Sequence, residues 1–257
     1  DIGYGATSSL KKVKLPASVT EIGKYAFQGC NALETVEFAQ GSKLKTIADS
    51  AFVNSRNLKN INFPEGLVTI GNQAFQNTGL TEVTLPSSVT MIGNAFNSCN
   101  SLRKITIGDG VTSIPNGAFL DCKFLSEVNL GNSVTSVGTI AFKNCVSLAE
   151  ITLGDSVTVI GEQAFYNTSL KKIKIGAGVT SVGNEAFKFS ELAEVEFAVG
   201  GTGTAALQSI GNEAFVGTGI TVFEIPETAD KITLGSSLFK GCINLTELKI
   251  SSKVASL

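Results

Sequence analysis

Ten phenylalanines, each preceded by Ala or Leu, mark the chain at near-regular steps: Phe27, Phe52, Phe75, Phe96, Phe119, Phe142, Phe165, Phe187, Phe215 and Phe239. The intervals are 25, 23, 21, 23, 23, 23, 22, 28 and 24 residues, an underlying period of about 23. A fixed period of this length is the sequence signature of a stacked repeat, in which each unit is one small supersecondary element. In one unit the apolar landmarks are Leu10, Val13, Leu15, Val19, Ile22, Ala26, Phe27 and Leu33. Five units further on they are Leu125, Val128, Leu130, Val134, Val137, Ala141, Phe142 and Leu148.

Local chemistry assigns a conformation to each part of the unit. In "LSEVNL" (125 to 130), Val128 and Leu130 alternate with Glu127 and Asn129, the period-two pattern of a short strand with one buried face. "SVTSV" (133 to 137) is rich in β-branched residues and reads as a second extended piece. A glycine then follows the Ile, Val or Leu landmark at positions 23, 71, 93, 138, 161, 183, 211 and 235, and is expected to turn the chain with a positive φ. The following "xxAFxxC" is too short for more than a helical or 3₁₀ turn, with Ala and Phe inward. One such unit buries too little apolar surface to offset the entropy of ordering itself. Each coil must therefore cover the next, strand pairing with strand and Phe stacking on Phe.

Composition narrows the function. Twenty Lys+Arg against 22 Asp+Glu give a net charge of −2, a poor match to nucleic acid, which calls for clustered cations. No apolar run approaches the roughly 18 residues of a membrane-spanning helix. The first residues, "DIGYGATSSL", lack the charged-then-apolar order of a secretory signal. With no His and no Trp, the commonest general base and the best flat stacking platform are both missing. No phosphate loop, nucleophile elbow, zinc-protease helix or calcium loop is present. Glu194 and Glu196 share an outward strand face without a cleft to shift their pKa, so acid–base chemistry is not expected of them. The five cysteines, Cys30, Cys99, Cys122, Cys145 and Cys242, all stand three residues after a landmark Phe, where other units place Ser or Thr. They are read as buried free thiols in one column, with no metal and no cofactor. The ninth unit is about five residues too long at "AVGGTGTAAL" (198 to 207), a rim insertion. Its Gly201-x-Gly203 lacks the helix that a dinucleotide site needs.

The recurring phrases "LPASVTEIGKYAFQGCNAL", "LPSSVTMIGNAFNSCNSL" and "LGNSVTSVGTIAFKNCVSL" condense to LxxVxLPxSVTxIGxxAFxxCxxL. This pattern resembles the leucine-rich repeat of BspA-like and Treponema-type surface proteins, and the match runs through the whole chain. The resemblance implies an α/β repeat solenoid. Its form would be a right-handed leucine-rich-repeat horseshoe with a parallel concave β-sheet and short extended or 3₁₀ segments on the convex side. It also implies a cell-surface or secreted protein, not an enzyme, acting as a binding or adhesion module whose partner is a protein, host or matrix proteins included.

Residues 1–257 are read as one leucine-rich-repeat domain: about ten full units, a partial unit at each end, cut from a longer array and monomeric. Tyr4 stands where a landmark Phe belongs and Leu257 where Ile22 stands in its unit. The outward strand positions of the middle coils are the candidate protein-binding residues: Glu82, Thr84, Lys104, Thr106, Glu127, Asn129, Glu150 and Thr152. They offer a floor of short polar side chains flanked by both signs of charge. The rival reading is a spacer without a ligand, in which Lys–Glu pairs across strands merely support the sheet; part of an enzyme is the remote alternative.

Overall fold

The computed structural model describes residues 9–201, 203–228 and 230–254. Tyr4 and Leu257 lie outside the described residues. Most coils carry a first strand of two to four residues and a second strand of two. In chain order these are β1 (Lys12–Leu15), β2 (Glu21–Ile22), β3 (Thr35–Phe38), β4 (Thr46–Ile47), β5 (Asn60–Ile61), β6 (Thr69–Ile70), β7 (Glu82–Thr84), β8 (Met91–Ile92), β9 (Lys104–Thr106) and β10 (Ser113–Ile114). They continue as β11 (Glu127–Asn129), β12 (Ser136–Val137), β13 (Val159–Ile160), β14 (Lys172–Ile175), β15 (Ser181–Val182), β16 (Glu194–Phe197), β17 (Ser209–Ile210), β18 (Val222–Glu224), β19 (Thr233–Leu234) and β20 (Glu247–Lys249). Every pairing is parallel and joins equivalent positions of adjacent coils, as in Val83↔Ile105 and Val128↔Ile105. The second strands form a four-stranded ladder, β2-β4-β6-β8, and a six-stranded one, β10-β12-β13-β15-β17-β19.

No helix occurs among the described residues. The α/β horseshoe is therefore corrected to a parallel-strand β-solenoid: the wall expected to carry short extended or 3₁₀ segments has two-residue extended strands, and the "xxAF" segments expected to be helical or 3₁₀ are hydrogen-bonded turns. The "xxAF" segment forms a third hydrogen-bonded ladder without being a strand. The Phe142 amide donates to the Ala164 carbonyl of the next coil at 2.8 Å, and the Phe52 amide to Ala74 at 2.8 Å. Turn bonds within the coil close it, as from the Cys145 amide to the Phe142 carbonyl at 3.1 Å. A helical turn would direct these amides along its own axis and leave the neighbouring coil unpaired.

The glycine after the second strand does not do what its residue type suggests. None of the eight has a positive φ. The need is space: a Cβ on Gly71, Gly93, Gly138, Gly161, Gly183, Gly211 or Gly235 would come within 2.3–2.7 Å of the preceding coil. Positive φ falls instead two residues either side of the landmark Phe, as at Gln73, Asn77 and Asn144. Short polar residues take this conformation at modest strain. Tyr25, Ile140 and Phe189 take it too, at φ 59°, 51° and 60°. Nothing local favours a β-branched Ile140 there; the ladders on both sides hold it.

Nine of the ten landmark phenylalanines are buried, and Phe239 is partly buried. They form one stack from Phe27 to Phe239, with successive centroids 5.0–5.9 Å apart and ring planes within 11° of parallel. These spacings suit offset stacking. Polar columns lock the register beside the core. The Thr of "SVT" donates to the carbonyl of its counterpart one coil earlier, Thr158 to Thr135 and Thr180 to Thr158, both at 3.1 Å. Asn116 Oδ1 accepts from the Thr139 amide at 2.9 Å, and Asn144 Nδ2 donates to Asp121 Oδ1 at 2.8 Å.

The five cysteines are buried and form no disulfide. The column exists because a landmark Phe carbonyl needs a small donor: Cys99 Sγ donates to Phe75 O at 3.0 Å, Cys122 Sγ to Phe96 O at 3.1 Å, and Cys145 Sγ to Phe119 O at 3.2 Å. Ser and Thr meet the same need elsewhere, Ser190 Oγ donating to Phe187 O at 2.6 Å. Burial pushes the Cys99 thiol up to about 11 and drives those of Cys122 and Cys145 upward too. At pH 8 only about one Cys99 in a thousand is then a thiolate, the reactive form. The native protein is expected to leave Cys99, Cys122 and Cys145 unmodified by an aromatic disulfide reagent over hours, whereas denaturant releases all five thiols. Rapid labelling of these three in the native state would contradict the burial.

Candidate functional site

The first-strand face follows from the alternation in each strand. β7, β9 and β11 form one three-stranded sheet in which Val83, Ile105 and Val128 point to the core. The alternate residues must then point outward. Two registered rows result, Glu82↔Lys104↔Glu127 and Thr84↔Thr106↔Asn129. Glu82, Thr84, Glu127 and Asn129 are exposed, while Lys104 and Thr106 are half-buried between their neighbours. Glu150 and Thr152 continue the rows and are exposed, but residues 150–153 form no strand. Six of the eight candidates thus lie in one hydrogen-bonded sheet and two stand just beyond its edge.

Charge on this face is mostly paired along the solenoid. Lys104 Nζ lies 2.6 Å from Glu127 Oε1, Lys172 2.5 Å from Glu194, Lys174 3.5 Å from Glu196, and Lys249 3.2 Å from Glu224. Lys12 also pairs with Glu37. The Lys104 hydrogen bond, with Asn129 adding a second, holds the Glu127 carboxyl below the usual carboxylate range. Glu127 in turn raises the Lys104 ammonium, and Glu194 raises that of Lys172. These are exposed pairs, so each contributes little to stability. Their effect is to fix where the side chains lie.

The sheet is not continuous. Its blocks are β1-β3-β5, β7-β9-β11, β14-β16 and β18-β20. A groove opens at each interruption. The first, about 310 Å³, is lined by Asn60, Asn62, Glu65, Glu82 and Thr84 among others. The second, about 320 Å³, takes Glu127, Asn129, Glu150, Thr152, Lys172 and Lys174. The third, about 450 Å³, includes Glu194, Glu196, Glu224, Glu227 and Gly203 of the rim insertion. Extra rings accompany the first and third breaks: Phe63 sits edge-on to Phe75 at 5.5 Å, and Phe197 edge-on to Phe223 at 5.8 Å. Lys172, Lys174, Glu65, Asn60 and Asn62 were not among the sequence candidates. All but Glu65 stand in the same outward rows, so the signal was present; the grooves that single them out were not.

Within the described residues no group of three or more His, Cys, Asp or Glu side chains is placed to hold a metal ion, and no helix is long and apolar enough to cross a membrane. The rim insertion turns tightly, the Gly200 amide donating to Thr204 O at 2.8 Å, and leads into another coil rather than a helix.

A stack of coils with parallel ladders, a buried Phe column and one open strand face is the leucine-rich-repeat class of solenoid. The chain belongs to the BspA-type leucine-rich-repeat family, whose pattern matches it in six copies over residues 4–125, 93–204 and 208–257. A leucine-rich repeat protein from Bacteroides ovatus is similar in structure, with a TM-score of 0.67 at 22% identity over 98% of this chain and 76% of that one. A Treponema pallidum leucine-rich repeat protein is 38% identical, with a TM-score of 0.51 over 56% of this chain and 67% of that one. No match is found among curated proteins.

Proposed function

We propose that this chain is a non-enzymatic protein-binding module of a cell-surface or secreted protein, and that it engages its partner through the first-strand face. The observation that carries this reading is the row Thr84, Thr106 and Asn129, in register on one sheet with Thr152 just beyond its edge: short polar side chains, exposed or half-buried, flanked by charges of both signs. A preformed flat surface loses little conformational freedom on binding, and mixed charge favours particular partners over any polyanion. Family membership supports the surface location and the adhesion role. We treat residues 1–257 as one domain acting as a monomer. The spacer reading draws on the Lys–Glu pairs, which already occupy much of the face's charge.

The test replaces Thr106, Asn129 and Thr152 together with Lys. Unfolding should change little, because the positions are wholly or partly exposed. In a biosensor screen of host-surface and matrix proteins, any partner that binds the wild type should bind the variant at least tenfold more weakly. Unchanged affinity would move the site to the rim insertion at residues 200–206 or off this chain. A screen without any saturable partner would favour the spacer.

A further inference from the structure

We infer that the first-strand face is built to receive an extended, basic polypeptide segment lying along the solenoid axis, with one cationic side chain at Glu82 and another at Glu150. This rests on the protein-binding reading above and adds the chemistry of the partner. From β7 to β16 the three lysines of the outward rows are all committed: Lys104 to Glu127, Lys172 to Glu194, and Lys174 to Glu196. Each turns toward the next coil. That leaves Glu82, beside Lys104, and Glu150, beside Lys172, without an ion-pair partner among the described residues, and Glu82 acts on Lys104 only as a more distant charge. The uncommitted charge of the middle face is therefore negative, although the chain as a whole is nearly balanced.

These two carboxylates stand at two of the three interruptions of the sheet. Glu82 lines the groove between β5 and β7, which also holds Glu65 and contains no lysine or arginine. Glu150 lines the groove between β11 and β14. Each carboxylate thus has open space beside it for a long side chain, more than the groove of about 220 Å³ over the paired β3 and β5 strands offers. Directly between them in the row the only charges are Lys104 and Glu127, which are paired with each other, and the row alongside is uncharged and short: Thr84, Thr106, Asn129 and Thr152. Three coils separate the two glutamates, about 14 Å at the usual strand spacing. In an extended chain, residues i and i+4 point to the same side about 13 Å apart. Arginines at that spacing match both carboxylates and offer forked hydrogen bonding to each.

The probe is a short Ser/Thr/Val peptide with arginines at i and i+4, compared with its isomer carrying them at i and i+2. Fluorescence anisotropy against the whole chain should give saturable binding that weakens as salt rises. The i,i+4 peptide should bind at least threefold tighter than the isomer, and Glu82→Gln with Glu150→Gln should weaken it at least tenfold. Equal affinity for wild type and the double variant, no preference for the spacing, or no binding at low salt would each overturn the inference. The double variant leaves the Thr/Asn floor intact. A matrix or host partner that needs Thr106, Asn129 and Thr152 but ignores the two glutamates would uphold the protein-binding face while removing its basic partner.

Discussion

Phe142→Ala is expected to cost about 3–5 kcal/mol of folding stability, the range for removing a fully buried ring. Phe142 has no exposed surface and stacks on two partners, Phe119 at 5.2 Å and Phe165 at 5.4 Å. Its removal leaves a ring-sized void that collapse cannot fill, because the flanking amides hold the coil spacing: Phe142 N donates to Ala164 O and Phe119 N to Ala141 O. The measurement is urea unfolding followed by circular dichroism. Phe124→Ala is the control. Phe124 is 55% exposed, so its loss should change stability by less than about 0.5 kcal/mol. A loss below about 1 kcal/mol at Phe142 would show that the stack is not the core.

Gly161→Ala should destabilise by about 3 kcal/mol, the upper end of overpacking penalties. The added methyl would meet Gly138 C and Thr139 N at 2.6 Å, and Gly138 O at 2.9 Å. These are backbone atoms, so no rotamer change relieves the contact, and the coils must part where the β12 and β13 ladder joins them. Gly154→Ala reverses the sign. No atom lies within 4 Å of its Cβ and its φ is not positive. The substitution should therefore stabilise by about 0.4–1 kcal/mol through a less flexible unfolded chain. Thermal unfolding of both variants separates close approach from backbone flexibility as the reason for glycine. Similar behaviour of the two would refute the close-approach account.

The two proposals about the first-strand face differ in what they draw on. The binding floor relies on residues in register, which the solenoid provides whatever the partner. The basic segment relies on which lysine turned toward which glutamate, and on where the sheet opens. Both features are local to the coils from β5 to β14, so they can be altered without touching the Phe stack.

Sequence alone determined the repeat, the buried and outward positions and the Cys column, because each depends on alternation and spacing within about 23 residues. Val83, Ile105 and Val128 face the core for the same reason that Glu82, Lys104 and Glu127 do not. Tertiary structure decided the rest. A glycine in sequence looks the same whether it serves a positive φ or a close approach; only the neighbouring coil, 2.3–2.7 Å from the missing Cβ, distinguishes them. Whether the "xxAF" turn becomes helical depends on where its amides find acceptors, and these lie one coil away. Ile140 takes a left-handed φ of 51° against its own preference because two ladders outweigh one residue. Two of the three breaks in the first-strand sheet coincide with mismatches between adjacent coils, the added rings of Phe63 against Phe75 and of Phe197 against Phe223. Such mismatches belong to pairs of residues distant in the chain, so no single unit records them, and neither does it record that Glu82 and Glu150 are left unpaired beside open grooves.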